Sequence, residues 1–108
     1  MVIKDKNEVE ERRLRARIVG EFLKDMRQKS GLTQQELASK LSYSTAQFIS
    51  NWERGISLPP LEVLPRLAMY CKIPPRTLVD IVYEYQEALL RMQKKHLLAL
   101  FTKQSKRA

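Results

Sequence analysis

The 108-residue chain has little of the chemistry that disulfides and metal sites require. It carries one cysteine, Cys71, and one histidine, His96. A single chain therefore cannot form an internal disulfide or a Cys/His zinc site, and we expect no metal or other cofactor. A lone cysteine is also typical of proteins from reducing compartments, so we expect a cytoplasmic protein.

Long apolar runs and strand patterns are equally scarce. No apolar run is long enough to span a bilayer, and residues 1–13 lack the apolar core of a signal peptide. Glycine occurs only 3 times, and apolar residues recur at helical spacing without any stretch of strict alternation. The sequence therefore predicts a soluble, all-α protein that does not span a membrane.

What is present in excess is positive charge. Lys and Arg number 20 against 12 Asp and Glu, which gives a formal net charge of +8. Such an excess favours a polyanionic partner, either nucleic acid or an anionic membrane surface. The alternative is that the excess lysine only keeps the protein in solution, and charge alone does not decide between the two.

Apolar spacing and the capping residues predict the first two of five helices. Residues 8–29 form the first, which ends at Gly31 because a left-handed glycine closes a helix C-terminus. Thr33 and Glu36 have the spacing of a capping box, so the second helix begins at Gln34.

A third helix follows, capped by Ser44 or Thr45 and ending at Gly55. Its predicted core side is formed by three apolar residues, Phe48, Ile49 and Trp52. If the polyanionic partner is DNA, the alternative for Phe48 is contact with a thymine methyl group instead of a place in the core.

Prolines shape the fourth and fifth helices. Residues 61–71 form the fourth, which starts late or irregularly because Pro65 has no backbone N–H. The fifth covers residues 77–101 without a breaker, and residues 102–108 are predicted to be a frayed basic tail.

The fifth helix carries an apolar stripe whose members step by four and three residues. Such a stripe has to be buried, either on the N-terminal helix of the same chain or on a second subunit. We assign five of its residues to dimerisation: Leu78, Val82, Tyr85, Leu89 and Met92.

The third helix separates an apolar side from a side of small and polar groups. When Ile49 faces the core, the residues on the opposite side are Ala46, Gln47, Ser50, Asn51 and Arg54. The major groove is about 12 Å wide and admits slim side chains, while amides pair bidentately with adenine. We predict base contacts from Ala46, Gln47, Ser50 and Asn51. The alternative is an ordinary solvated helix face.

Residues 19–78 resemble the Cro and phage-repressor type of helix-turn-helix, also called the xenobiotic-response-element family. The matching segments are LKDMRQKSGLTQQELASKL, ISNWERG and PPLEVLPRLAMYCKIPPRTL. The resemblance implies a five-helix repressor-like DNA-binding domain with extended terminal helices. We place this domain at residues 18–78, after a charged extension (residues 1–17) and before a long helix (residues 79–101) and the tail.

The resemblance also implies roles for individual residues. Gln34 would contact phosphate, and Arg27 and Glu53 would form a structural ion pair. The other predicted contacts to the DNA backbone are Tyr43, Ser44, Thr45, Arg54 and Ser57. One departure concerns the turn, because Ser42 stands where the family has glycine. The stretch from Leu41 onward is also one residue longer than usual, which leaves the assignment of Ala46 open by one position.

These features predict a sequence-specific, double-stranded-DNA-binding transcriptional regulator, such as a bacterial or phage repressor, that acts as a homodimer. The alternative is an antitoxin, or another interaction module, whose last helix binds a partner protein. No enzymatic activity is expected, because Cys71 lies on an apolar helix face and His96 has no evident partner. A set of arginines either reaches DNA or forms a mixed-charge helix face: Arg12, Arg13, Arg15 and Arg17.

Overall fold

A computed structural model describes residues 6–107, with side chains described as far as Lys103. Residues 1–5 of the predicted extension and Ala108 of the predicted tail lie outside the described residues. Within them the chain is helical and contains no strand, so the all-α prediction is confirmed. The elements are α1 (Lys6–Arg15), a π-helical turn (Ala16–Gly20), α2 (Glu21–Lys29), α3 (Gln34–Lys40), α4 (Gln47–Glu53), a 3₁₀ turn (Leu61–Val63), α5 (Leu64–Tyr70) and α6 (Pro75–Arg107).

The predicted first helix is continuous but not regular. Arg15 and Glu21 border the π-helical turn with right-handed helical dihedrals, so α1 passes into α2 without a break. Ile18, Val19 and Gly20 in this turn are buried, and the turn packs against both α4 and α6. The wider turn therefore lies where the long N-terminal helix meets the rest of the domain.

The start of α3 follows from its capping box, as predicted. The Thr33 hydroxyl accepts the Glu36 N–H at 3.0 Å, and the Thr33 N–H donates to the Glu36 carboxylate at 3.0 Å. Hydrogen bonding from Thr33, from its backbone N–H above all, lowers the pKa of the Glu36 carboxyl. Two N–H groups that a helix start leaves unpaired are satisfied locally.

The turn after α3 closes on a left-handed residue that is not glycine. Ser42 has φ +67°, and the Tyr43 N–H donates to the Ala38 carbonyl at 2.9 Å. The Ser42 N–H donates to the Ser39 carbonyl at 3.1 Å, which completes a Schellman motif. Ser42 thus holds a left-handed conformation that glycine adopts more readily, at the cost that a Cβ adds in this region.

The prediction that Ser44 or Thr45 caps the next helix is confirmed only in part, because neither is the N-cap residue. The longer turn delays the start of α4 to Gln47, with Ala46 at the N-cap and no side-chain hydrogen bond from it. Thr45 still contributes, because its hydroxyl accepts the Gln47 N–H at 3.3 Å.

Proline delays the fourth predicted helix as expected. Residues Leu61–Val63 form a 3₁₀ turn, and α5 begins only at Leu64, with Pro65 in its first turn. There the missing N–H of Pro65 removes no intrahelical hydrogen bond.

The core lies where α2, α3, α4, α5 and the first half of α6 meet. Its largest fully buried side chains are Trp52, Tyr85, Leu37, Leu41, Ile49, Leu67, Val19 and Cys71. The assignment of Phe48 to this core is wrong, since 51% of the residue is exposed. Ile49 and Trp52 fill the core side of α4, and Phe48 is left at its border.

The last helix is longer than predicted. It runs to Arg107, so the predicted frayed tail is wrong for residues 102–107. No proline or glycine follows Pro75. The Thr102 hydroxyl also donates to the Leu98 carbonyl at 3.2 Å, which ties one more polar group to the helix.

The heptad-like stripe of α6 packs largely against its own chain. Leu78, Val82 and Tyr85 are buried among the other helices, and the Tyr85 hydroxyl accepts a hydrogen bond from Arg15 in α1 at 2.9 Å. Leu89 and Met92 are half-buried. The assignment of Leu78, Val82 and Tyr85 to dimerisation is therefore wrong, because these side chains are already covered within one chain.

Candidate nucleic-acid interface

The structure gives α4 the two sides that the sequence predicts. Ile49, Trp52 and Glu53 are buried against the domain. The opposite side holds the predicted base contacts and Arg54: Gln47 and Arg54 are exposed, while Ala46, Ser50 and Asn51 are half-buried. Small and polar groups thus share one solvent-facing side of a short helix.

A hydrogen bond joins the two predicted amide readers. Gln47 Nε2 donates to Asn51 Oδ1 at 2.8 Å. After this bond, Gln47 retains one N–H and its carbonyl oxygen, which together match the donor and acceptor edge of adenine. Asn51 retains both N–H groups, which match the acceptors of guanine or thymine. The pair is oriented before any ligand arrives, and its two members offer different chemistry.

Behind this side of α4, a buried ion pair holds the helices in place. Arg27 Nε lies 2.6 Å from Glu53 Oε2, and Arg27 Nη2 lies 3.0 Å from Glu53 Oε1. Arg27 Nη1 also donates to the Leu32 carbonyl at 2.8 Å. The hydrogen bond to Glu53 raises the pKa of Arg27, against the opposing effect of burial. Arg27 therefore stays charged, and its contacts with Glu53 tie α2 to the last turn of α4.

Gln34 belongs to the same network. Its Nε2 donates to Glu53 Oε1 at 2.9 Å, and the side chain is half-buried. Glu53 thus accepts hydrogen bonds from both α2 and α3, which aligns these helices with α4. After this bond the Gln34 amide retains one N–H and its carbonyl oxygen. The remaining N–H is the group that can make the predicted phosphate contact.

The turn between α3 and α4 presents both polar and aromatic groups. Ser44 and Thr45, predicted to contact the DNA backbone, are exposed. Tyr43 is half-buried, with its ring 4.8 Å from that of Phe48 and 5.8 Å from that of Trp52, measured between centroids. Sequence reasoning missed this cluster because Tyr43 and Phe48 meet across the turn.

Beyond the end of α4, basic groups from two parts of the chain meet. Arg54 lines an open cleft of about 590 Å³ together with Arg12 and Arg13 of α1. Arg54 and Arg13 are exposed, and Ser57, the other predicted backbone contact, is half-buried. The cleft also contains acidic groups from α1, so the basic surface is not uniform.

Arg15 has a structural role that the sequence did not reveal. Its Nε donates to the Gly55 carbonyl at 2.8 Å and its Nη1 to the Tyr85 hydroxyl at 2.9 Å. This one side chain connects α1 with the end of α4 and with α6. It is consequently not available for DNA, and no sequence signal separates it from the neighbouring arginines.

Comparison with protein families identifies the family to which the domain belongs. A helix-turn-helix family model matches residues 23–78, more than half of the chain. The chain belongs to this helix-turn-helix family. The match supports the Cro and phage-repressor type and a DNA-binding regulator in general. Comparison with curated proteins and with solved structures gave no significant match.

Two residues considered for catalysis lie outside the α4 surface of this helix-turn-helix protein. Cys71 is buried, and burial raises the pKa of its thiol to about 11, so the thiolate nucleophile is disfavoured. His96 does have a partner, contrary to expectation: its Nε2 lies 3.0 Å from Glu10 Oε2. None of the described helices is long and apolar enough to cross a membrane.

Proposed function

We propose that the protein is a cytoplasmic, sequence-specific, double-stranded-DNA-binding transcriptional regulator that inserts α4 into the major groove. The observation that carries this proposal is the Gln47–Asn51 amide pair, joined at 2.8 Å on the solvent-facing side of α4. In helix-turn-helix proteins the second helix of the motif enters the major groove. Amides on its outer face supply the directed donors and acceptors that base edges require.

Contacts to the DNA backbone would supply most of the affinity. The net charge of +8 and the exposed Arg54 favour a polyanionic partner. The predicted backbone contacts in the turn, Ser44 and Thr45, are exposed at the start of the same helix. We assign DNA binding to residues 18–78, with phosphate contacts flanking the amide pair on both sides.

Asn51→Ala is expected to weaken specific DNA binding about fivefold or more, since a good base contact contributes about 1–3 kcal/mol of discrimination. Binding to unrelated DNA should change little, because phosphate contacts remain. The measurement is fluorescence anisotropy on a site obtained by selection from random DNA, at several salt concentrations. Gln28→Ala removes an exposed amide from α2 and is the matched control. An equal loss on specific and unrelated DNA would contradict base reading by Asn51.

We further propose that the regulator is a homodimer, joined by the side of α6 that remains exposed. Tyr83, Leu90 and Leu97 are spaced seven residues apart and are 62%, 65% and 57% exposed. Val79 and Leu100, which are also exposed, extend the same row at heptad spacing. We call these five residues the outer stripe. A second copy covering the outer stripe would remove a long apolar surface from water.

A symmetric dimer also fits the proposed DNA contact. Helix-turn-helix dimers place two recognition helices about 34 Å apart, one turn of DNA. α6 has 33 residues, which corresponds to about 50 Å of helix. A helix of this length can hold two domains at such a separation, and the proposed interface falls within residues 79–101.

Leu90→Glu is expected to convert the dimer to a monomer, because it places a charge in the middle of the outer stripe. Sedimentation equilibrium at micromolar concentration measures the mass directly. Leu98→Glu makes the same change at an exposed position of α6 that lies off the stripe, and it should leave the dimer intact. A monomeric wild-type protein would contradict the homodimer and favour a partner protein on α6, as in an antitoxin.

A further inference from the structure

Phe48 is an exposed aromatic residue at the edge of the proposed base-reading side of α4. It is the second residue of the helix, and 51% of it is exposed. Helical geometry places Phe48 about 60° from Asn51 on one side and about 40° from Trp52 on the other. The ring therefore stands between the amide pair and the core.

The position of this ring is set by other aromatic residues. Tyr43 packs on Phe48 with ring centroids 4.8 Å apart and an interplanar angle of 33°. The Tyr43 ring in turn meets the edge of Trp52 at 5.8 Å and 72°. Because Trp52 is fully buried, this row of rings connects Phe48 to the core and restricts its movement.

A rigid apolar surface beside a base-reading amide can recognise an apolar group on the edge of a base. The major-groove edges of the four bases offer one such feature, the C5-methyl group of thymine. A phenylalanine ring cannot form a directed hydrogen bond with a base edge. Its contact would therefore select for the methyl group and not for any particular pattern of donors and acceptors.

We infer that Phe48, supported by Tyr43, forms an apolar subsite for the methyl group of one thymine in each half-site, next to the base read by Asn51. This inference rests on the proposed function, because it requires α4 to lie in the major groove. It adds a specificity-determining residue that makes no hydrogen bond with DNA. The half-exposed Phe48 ring would then be covered by the operator.

The test removes single methyl groups from the DNA. Each thymine of the selected site is replaced in turn by deoxyuridine, which lacks only the C5-methyl group, and affinity is measured by anisotropy. The affinity of the wild-type protein should fall about fourfold when one particular thymine of a half-site is replaced, as expected for burial of one methyl-sized group. Phe48→Ala should bind the unmodified site correspondingly more weakly and show no further loss at that deoxyuridine.

Two further variants make the result specific. Phe48→Leu retains an apolar side chain and should keep part of the sensitivity to that methyl group. Met69→Ala removes an exposed apolar side chain from α5 and should retain the full sensitivity to the methyl group. Thermal unfolding followed by circular dichroism checks that each variant is folded.

Three outcomes would overturn the inference. If the losses from Phe48→Ala and from deoxyuridine multiply at every position, the methyl group is not read by Phe48. If no replacement of thymine by deoxyuridine lowers the affinity although specific binding is intact, Phe48 forms no methyl subsite and the proposed function stands. If the wild-type protein selects no site at all, both the subsite and the proposed function fail.

Discussion

Glu53→Ala is expected to lower the free energy of unfolding by about 3–5 kcal/mol, the cost of leaving one member of a buried ion pair alone. The side chains of Arg27 and Glu53 are only 8% and 4% exposed. Without the carboxylate, the Arg27 guanidinium loses two hydrogen bonds and keeps its charge, because arginine does not deprotonate in proteins. The Leu32 carbonyl alone cannot compensate for that loss.

Urea denaturation followed by circular dichroism measures this change. Glu62→Ala removes an exposed carboxylate and should alter stability by less than about 0.5 kcal/mol. In the double variant Arg27→Met with Glu53→Leu, no charge is left unpaired, so we expect it to be more stable than Glu53→Ala alone. A loss below about 1 kcal/mol in Glu53→Ala would contradict the role assigned to the pair.

The same substitution should also affect DNA binding through Gln34. In the wild-type protein Glu53 accepts a hydrogen bond from Gln34 Nε2 at 2.9 Å, which holds that amide beside the end of α4. Loss of the carboxylate frees the Gln34 side chain and loosens the alignment of α3 with α4. Stability and DNA affinity should therefore fall together in this variant, whereas Asn51→Ala should lower affinity alone.

Local features of this fold could be predicted from the sequence because each depends on residues close together in the chain. The Thr33 and Glu36 spacing is enough for a capping box, and Pro65 is enough to delay a helix. The Arg27 and Glu53 pair was implied only by resemblance to a family. Their separation of 26 residues carries no signal of its own.

Features decided by side-chain packing across a turn or between helices were beyond the sequence. Phe48 lies at the border of the core side of α4, and a helical wheel cannot tell that Tyr43 packs on it from across the turn. α6 has apolar residues on two sides, and periodicity alone could not decide which side its own chain covers. Packing against α5, the π-helical turn and α1 settles this, and it leaves Leu78, Val82 and Tyr85 buried.

Gly20→Ala is expected to lower the free energy of unfolding by about 2 kcal/mol or more, although alanine is the better helix former. Gly20 has helical dihedrals, so intrinsic propensity favours alanine by about 1 kcal/mol. Steric overlap acts the other way and is larger: a Cβ at Gly20 would lie 2.3 Å from the Glu53 carbonyl oxygen. That atom belongs to the backbone, so α4 and the π-helical turn have to move apart.

Displacement of α4 should weaken DNA binding as well, since the amide pair moves with the helix. Gly31→Ala is the informative control, because a Cβ there meets no atom within 4 Å and only the left-handed φ of +74° opposes it. That substitution should lower the free energy of unfolding by about 1 kcal/mol and leave the affinity for DNA unchanged. If Gly20→Ala proves as stable as the wild type, α4 can move away from the π-helical turn without loss, and close packing does not fix the position of the proposed recognition helix.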